Sequence, residues 1–253
     1  MSEHCSSAPS ADSVLFGETR TGEKVFLHTA RNGSLTLRCI DYGAAVTSLE
    51  VPDRDGVCEN VVLSYDRLAG YEEDTCWCGL LCGPVAGRIA GASFSLEGRR
   101  CELEANDGTS CLHSGSEGFS YSIWHGETFS SPGEAGVRFR FSTLPGQWGF
   151  PGTLDVTATY TLTGNSLILA WEAETAVPTL LAPAFHGYFN LGGENTASIA
   201  DHRLAIDADR FMPLDEQHLP CMPRSVDGTP FDFRAPRSPE HAQWASDRQI
   251  QLG

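Results

Sequence analysis

The chain has 253 residues, 33 acidic against 17 basic, for a net charge of −16. That balance argues against a nucleic-acid backbone or an anionic membrane as partner, because both would repel it, while a neutral small molecule is indifferent to it. The length is enough to bury a large core, as one big all-β domain or as two ordinary domains, and no apolar run approaches the roughly 20 residues of a membrane-spanning helix.

In chain order, the stretch from Met1 to Ser13 has neither a basic start nor an apolar core, so it does not read as a secretory signal. It is expected to be a disordered leader, with one domain over 14–253. Apolar and polar residues then alternate over Leu35 to Cys39, Phe94 to Leu96, Val137 to Phe141, Leu154 to Leu162 and Leu167 to Trp171. Such alternation puts one strand face in a core and the other in water. Between the last two runs, Gly164-Asn165 is a hairpin signal, since glycine supplies the positive φ of a tight turn. Twenty-six glycines and 14 prolines punctuate the chain, and only Ser238-Pro239 has the cap-and-proline pattern of a helix start. These signals predict an antiparallel all-β protein, a large β-sandwich.

Nine cysteines, an odd number without a signal peptide, fit reduced intracellular thiols and a cytoplasmic location better than a disulfide framework. Cys76, Cys78 and Cys82 have a spacing that three metal ligands would tolerate. With no second cysteine pair to complete a zinc site, small apolar strand residues are the favoured reading.

Two histidines stand in turn-like settings: His113, within Cys111 to Gly115, and His186, within Leu181 to Leu191. Histidine is the side chain whose unperturbed pKa lies near neutrality, which makes both candidates for proton transfer. The competing reading is a satisfied core or turn residue. Arg88, taken alone, reads as an ordinary strand-face arginine. Trp77, Phe185 and Tyr188 are candidates for the apolar wall of a ligand pocket, with core packing the simpler alternative.

Taken together and in order, Asp41 to Gly56, Val61 to Tyr71, Gly83 to Ala90, Asn106 to Gly108, Leu112 to Gly118, Gly149 to Gly152, His186 to Leu191 and Gly228 to Arg234 resemble the motifs of the aldose 1-epimerase (galactose mutarotase) family. The resemblance implies that family's β-sandwich and its reaction, the interconversion of α and β anomers of free hexoses such as glucose or galactose by ring opening and closure. It implies a catalytic role for His186, as the acid at the ring oxygen, and for His113, and it puts Arg88, Gly87, Asn106 and Tyr188 on the substrate side. Ring opening is proton transfer, so no cofactor or metal is expected. The partner implied is a small-molecule hexose, on a monomer or weak dimer.

Several positions depart from the family pattern. Gly87 stands where an asparagine is usual, Pro84 where an arginine is common, and Phe185 replaces a polar residue before His186. Fewer hydroxyl contacts imply weaker discrimination among hexoses. The family's remaining sugar-binding aspartate and general-base glutamate would fall beyond Gly253, so poor turnover is expected of this chain, with Glu117 and Asp107 the substitutes within it. Two other functions compete: a non-catalytic sugar-binding protein, and a hexose 6-phosphate epimerase, for which Arg99-Arg100 is the only adjacent basic pair.

Overall fold

Alternation becomes two antiparallel sheets. β1 (Ser10–Glu18), β2 (Lys24–Asn32), β3 (Leu35–Ile40), β4 (Val46–Pro52) and β5 (Cys58–Asn60) pair in chain order in a five-stranded sheet. A short helix, α1 (Leu68–Glu72), is followed by β6 (Leu81–Cys82), β7 (Arg88–Ile89), β8 (Ser93–Leu96), β9 (Arg99–Glu102) and β10 (Cys111–Leu112). The second large sheet comprises β11 (His125–Ser131), β12 (Glu134–Ser142), β13 (Leu154–Thr163) and β14 (Ser166–Thr175), again in chain order, after which β15 (Ala184–Phe185) returns to pair with β6. The computed structural model describes residues 8–194, 196–239 and 247–252.

The alternation decides which faces meet. On β13, Leu154, Val156, Ala158, Tyr160 and Leu162 point inward and their neighbours outward. Leu35, Leu37 and Cys39 of β3 belong to the same buried cluster, as do Val137 and Phe139 of β12, so the large sheets face each other as a sandwich. Each fully buried Leu, Val or Phe among these contributes about 1.5–3 kcal/mol. The β13–β14 hairpin has the expected two-residue loop, with Thr163 opposite Ser166 and Gly164 at φ +54°.

A buried polar knot joins the sheets at one end. Asp41 accepts hydrogen bonds from the Phe26 N–H at 2.9 Å, from His28 Nε2 at 2.7 Å and from the Gly126 N–H of β11 at 3.1 Å. A side chain at Gly126 would collide with the His28 ring. Beside the knot, the turn after Asp41 is held from the opposite sheet by Tyr160, whose hydroxyl donates to Ala44 O at 3.1 Å.

The structure corrects the leader boundary. β1 begins at Ser10, so residues 10–13 are strand: Ala11 packs on the core, Asp12 pairs with Arg31, and Ser13 Oγ bonds His28 Nδ1 at 2.8 Å. Helix α1 was not legible in the sequence, because five residues are too few to display a helical period. The helix start read at Ser238-Pro239 runs into residues 240–246, outside the described residues. Cys39, Cys78, Cys82 and Cys111 are buried, Cys58 and Cys76 exposed, and the eight described cysteines are all unbridged.

The chain divides into two compact units, Met1–Phe189 and Asn190–Gly253; strands β1 to β15, helix α1 and the sandwich core belong to the first. In the second, β16 (Arg210–Phe211) pairs with β17 (Arg224–Ser225), Phe211 stacks on Phe231 at 4.4 Å, and α2 spans Arg248–Leu252. Its Arg234 gathers the carboxylates of Asp209, Asp227 and Asp232. Among the described residues no helix is long and apolar enough to cross a membrane.

Two glycines with left-handed backbone test the packing. A Cβ at Gly79 (φ +68°) would lie 2.3 Å from Val46 O, whereas one at Gly98 (φ +76°) meets nothing within 4 Å. Gly98→Ala should cost only the left-handed strain, about 1–2 kcal/mol, and Gly79→Ala about 1–3 kcal/mol more for overpacking. Equal losses in urea unfolding would contradict this account.

Candidate functional site

The two histidines are placed by backbone pairing. β15 lies antiparallel to β6, with Phe185 opposite Leu81; the pairing continues past the strand, where the His186 N–H donates to Leu80 O at 2.9 Å and the Gly79 N–H to His186 O at 3.0 Å. Successive strand residues face opposite ways. Phe185 accordingly packs toward the core, 6.1 Å from the Tyr160 ring, and His186 faces away from it.

His113 is held by the partner ribbon. β10 pairs with β7 so that Leu112 lies opposite Arg88, the His113 N–H donates to Gly87 O at 3.0 Å, and the Gly87 N–H donates to His113 Nδ1 at 3.2 Å. The chain then turns through three successive left-handed residues, His113 (φ +51°), Ser114 (φ +69°) and Gly115 (φ +91°). Left-handed backbone costs about 1–2 kcal/mol for a residue with a Cβ. Ser114 offsets it: buried, its hydroxyl accepts from the Val85 N–H at 2.8 Å and donates to Val85 O at 3.0 Å.

These two ribbons bring the imidazoles edge to face, with ring centroids 5.4 Å apart. Trp77 lies 4.6 Å from His113 and 5.9 Å from His186, and Tyr188 lies 5.2 Å from His186. The Tyr188 hydroxyl donates to Cys76 O at 3.0 Å. Trp77 sits in a turn organised by buried Asp74, whose carboxylate accepts the Cys76 and Cys78 N–H groups and the Tyr65 hydroxyl.

The remaining predicted residues are placed as follows. Arg88 donates from Nε to Asp107 Oδ2 at 2.6 Å, its side chain half-buried. Gly87 has φ +77° and open space where a side chain would stand. The Asn106 amide is spent on the backbone, accepting from Leu112 N–H at 2.7 Å and donating to Leu112 O at 3.0 Å. Glu117 is exposed. Arg100 lies on the β8–β9 hairpin and pairs with Glu102.

Electrostatics separate the two histidines. Burial is the largest influence on His113, followed by the charges of His186 and Arg88, and together they push its pKa down to about 4. Its Nδ1 accepts a hydrogen bond, so the neutral ring carries its proton on Nε2. His113 is therefore a fixed neutral donor at physiological pH. No cluster of three or more His, Cys, Asp or Glu among the described residues is placed to hold a metal ion.

Sequence reasoning missed Asp74 and Ser114. Asp74 had a signal, an aspartate two and four residues ahead of N–H groups in a turn, the usual way this side chain organises a loop. Ser114 had none, because its partner is 29 residues away.

A family model described as Aldose 1-epimerase matches residues 27–246. Galactose mutarotase from Bos taurus is 36% identical over 225 residues, 88% of this chain and 65% of the relative, so the chain spans just under two thirds of that protein's length. The aldose 1-epimerase of Escherichia coli K12 is 32% identical over 217 residues, 85% of this chain and 62% of the relative. Among solved structures, galactose 1-epimerase from Lactobacillus acidophilus NCFM superposes with a TM-score of 0.86 at 27% identity, covering 97% of this chain and 71% of that one. With the family matched over most of its length and the same fold found at that level of likeness, the chain belongs to the aldose 1-epimerase family.

Proposed function

We propose that this protein is an aldose 1-epimerase that interconverts the α and β anomers of a free hexose, with galactose, the sugar named for several relatives, as the first candidate. The observation that carries the reading is the imidazole pair: two histidines on separate ribbons, 5.4 Å apart, one of them fixed as a neutral donor.

Ring opening breaks the C1–O5 bond, moves a proton onto O5 and removes one from the anomeric hydroxyl; closure on the other face reverses both transfers. His186 is the residue for O5. His113, neutral with its proton on Nε2, does not exchange a proton near pH 7, and its role is to hold a sugar oxygen through that N–H. That division leaves exchange to His186. Arg88 adds fixed charged donors beside His113. Tyr188 and Trp77 supply the apolar wall that sugar faces pack against, and Gly87 leaves room at the rim. Asn106 acts indirectly, by fixing the β10 ribbon. The open space at Gly87 also supports loose selection among hexoses.

The acceptor for the anomeric proton is the unassigned part. Asp107 is paired with Arg88, and Asp74 is committed to three donors, so neither is suited to act as a free base. This favours, as a second reading, a chain that binds hexose and turns it over poorly. Cytoplasmic location and a monomeric or weakly dimeric state remain part of the proposal.

Polarimetry on freshly dissolved α-galactose and α-glucose, with anomer-exchange NMR, tests the reaction. In any form that turns over, His186→Gln should reduce the rate by about 10² to 10⁴, the contribution of a positioned acid; a variant that keeps most of its turnover removes His186 from the acid role.

A stability measurement tests the state of His113. Its folded pKa, about 4, lies below the ordinary value of 6.5, so between those values the unfolded chain binds more protons than the folded one. Stability should therefore fall as pH drops through that window. In urea unfolding at pH 7, 6, 5 and 4, His113→Gln should lose this part of the decline, and the difference between the two proteins removes the background of the many carboxylates. Parallel curves would mean that His113 titrates normally.

A further inference from the structure

Among the side chains lining the histidine pair, Trp77 carries the one unresolved polar group. Its indole nitrogen is shielded and has no hydrogen-bond partner among the described residues, while its ring contacts both imidazoles, at 4.6 and 5.9 Å. A buried N–H without an acceptor is unfavourable, so each one in a native structure calls for an explanation, and a functional role is one of the few available. The backbone adds to this: Trp77 stands at φ +54°, left-handed for a bulky residue, and is kept there by Asp74 accepting the N–H groups on either side of it. Local structure and hydrogen bonding thus hold a donor-only side chain against the site without giving it an acceptor.

We propose that Trp77 is a sugar-binding and specificity residue whose indole N–H donates to one hydroxyl of the bound hexose while its face packs against the sugar ring. The inference rests on the hexose reading above and extends it, since it names a hydroxyl-recognising group that neither histidine nor Arg88 supplies. Because the nitrogen is shielded in the structure, the indole must turn toward the sugar on binding. The sugar oxygen then gains a bond that replaces no existing protein bond, so a hexose with the matching hydroxyl is favoured over its deoxy analogue.

The test is binding of galactose and its 2-, 3-, 4- and 6-deoxy analogues to the 253-residue chain, by ligand-observed NMR, beside Trp77→Phe and a protein carrying 3-benzothienylalanine at position 77, which keeps the bicyclic shape and lacks only the N–H. In the unchanged chain one deoxy sugar should bind about three- to tenfold more weakly than galactose on account of Trp77, the range of a net hydrogen bond. The benzothienyl protein should weaken galactose by that factor and lose no more with that one deoxy sugar, while Trp77→Phe, which also trims the packing face, should weaken galactose at least as much. If the benzothienyl protein binds galactose as tightly as the unchanged chain, or if every deoxy penalty persists in it, Trp77 is a packing residue and the inference fails alone. If the unchanged chain binds none of the sugars, the hexose reading fails and takes this one with it. The benzothienyl protein keeps the outcome readable where Trp77→Phe does not fold.

Discussion

The close approach of the turn after Asp41 to the segment around Gly79 underlies both the sandwich and the site. Gly43 receives the Leu81 N–H on its carbonyl at 3.0 Å and donates to Ser122 O at 2.8 Å, while the Val46 N–H donates to Gly79 O at 2.9 Å. A Cβ at Gly43 would lie 2.4 Å from Ser120 O, and one at Gly79 2.3 Å from Val46 O. Only glycine lets three pieces of backbone come this near, and both adopt the positive φ that glycine tolerates. The consequence reaches the histidines directly, since Leu80 and Gly79 are the residues whose backbone holds His186. The buried Asp41, tied to β2 and β11, anchors the other end of the same turn.

From that anchor the site is built almost entirely out of main-chain hydrogen bonds on very short strands. β6, β7, β10 and β15 have two residues each, too few to be stable as isolated pairs. They persist because they are backed by the sandwich and by cross-ties such as Ser114 to Val85. The arrangement suits a group that must hold its orientation: a histidine on such a ribbon has its backbone hydrogen-bonded to the paired segment, leaving the ring as the main freedom. For His113 even the ring is committed, through Nδ1.

Charge is distributed to the same end. The protein carries a net −16, yet the nearest charged neighbours that act on His113 are cationic or potentially so, Arg88 and His186. Asp107 accepts from Arg88 Nε and keeps its guanidinium in place. Burial first, and then the charges of His186 and Arg88, oppose protonation of His113 in a molecule whose overall charge would favour it, because in a half-buried site desolvation and nearby charge outweigh distant surface charge screened by water.

The amino-acid sequence by itself determined the fold class and the strands that build it. The period-two pattern of β3, β12, β13 and β14 is local, each side chain's face following from its place in the strand, so the alternating runs marked the core before any packing was known. The ordered motifs were likewise enough to carry the family and to single out His113, His186 and Arg88. Partnerships across the chain were decided only by the tertiary structure. Asp107, weighed as a base, is tied to Arg88 19 residues away; Asn106, expected at the substrate, serves the backbone of Leu112; and Phe185, adjacent to His186, turns to the core because strand alternation sends neighbours to opposite faces. Single residues say what chemistry is available, and their partners, brought close by folding, select which part of it remains free to act.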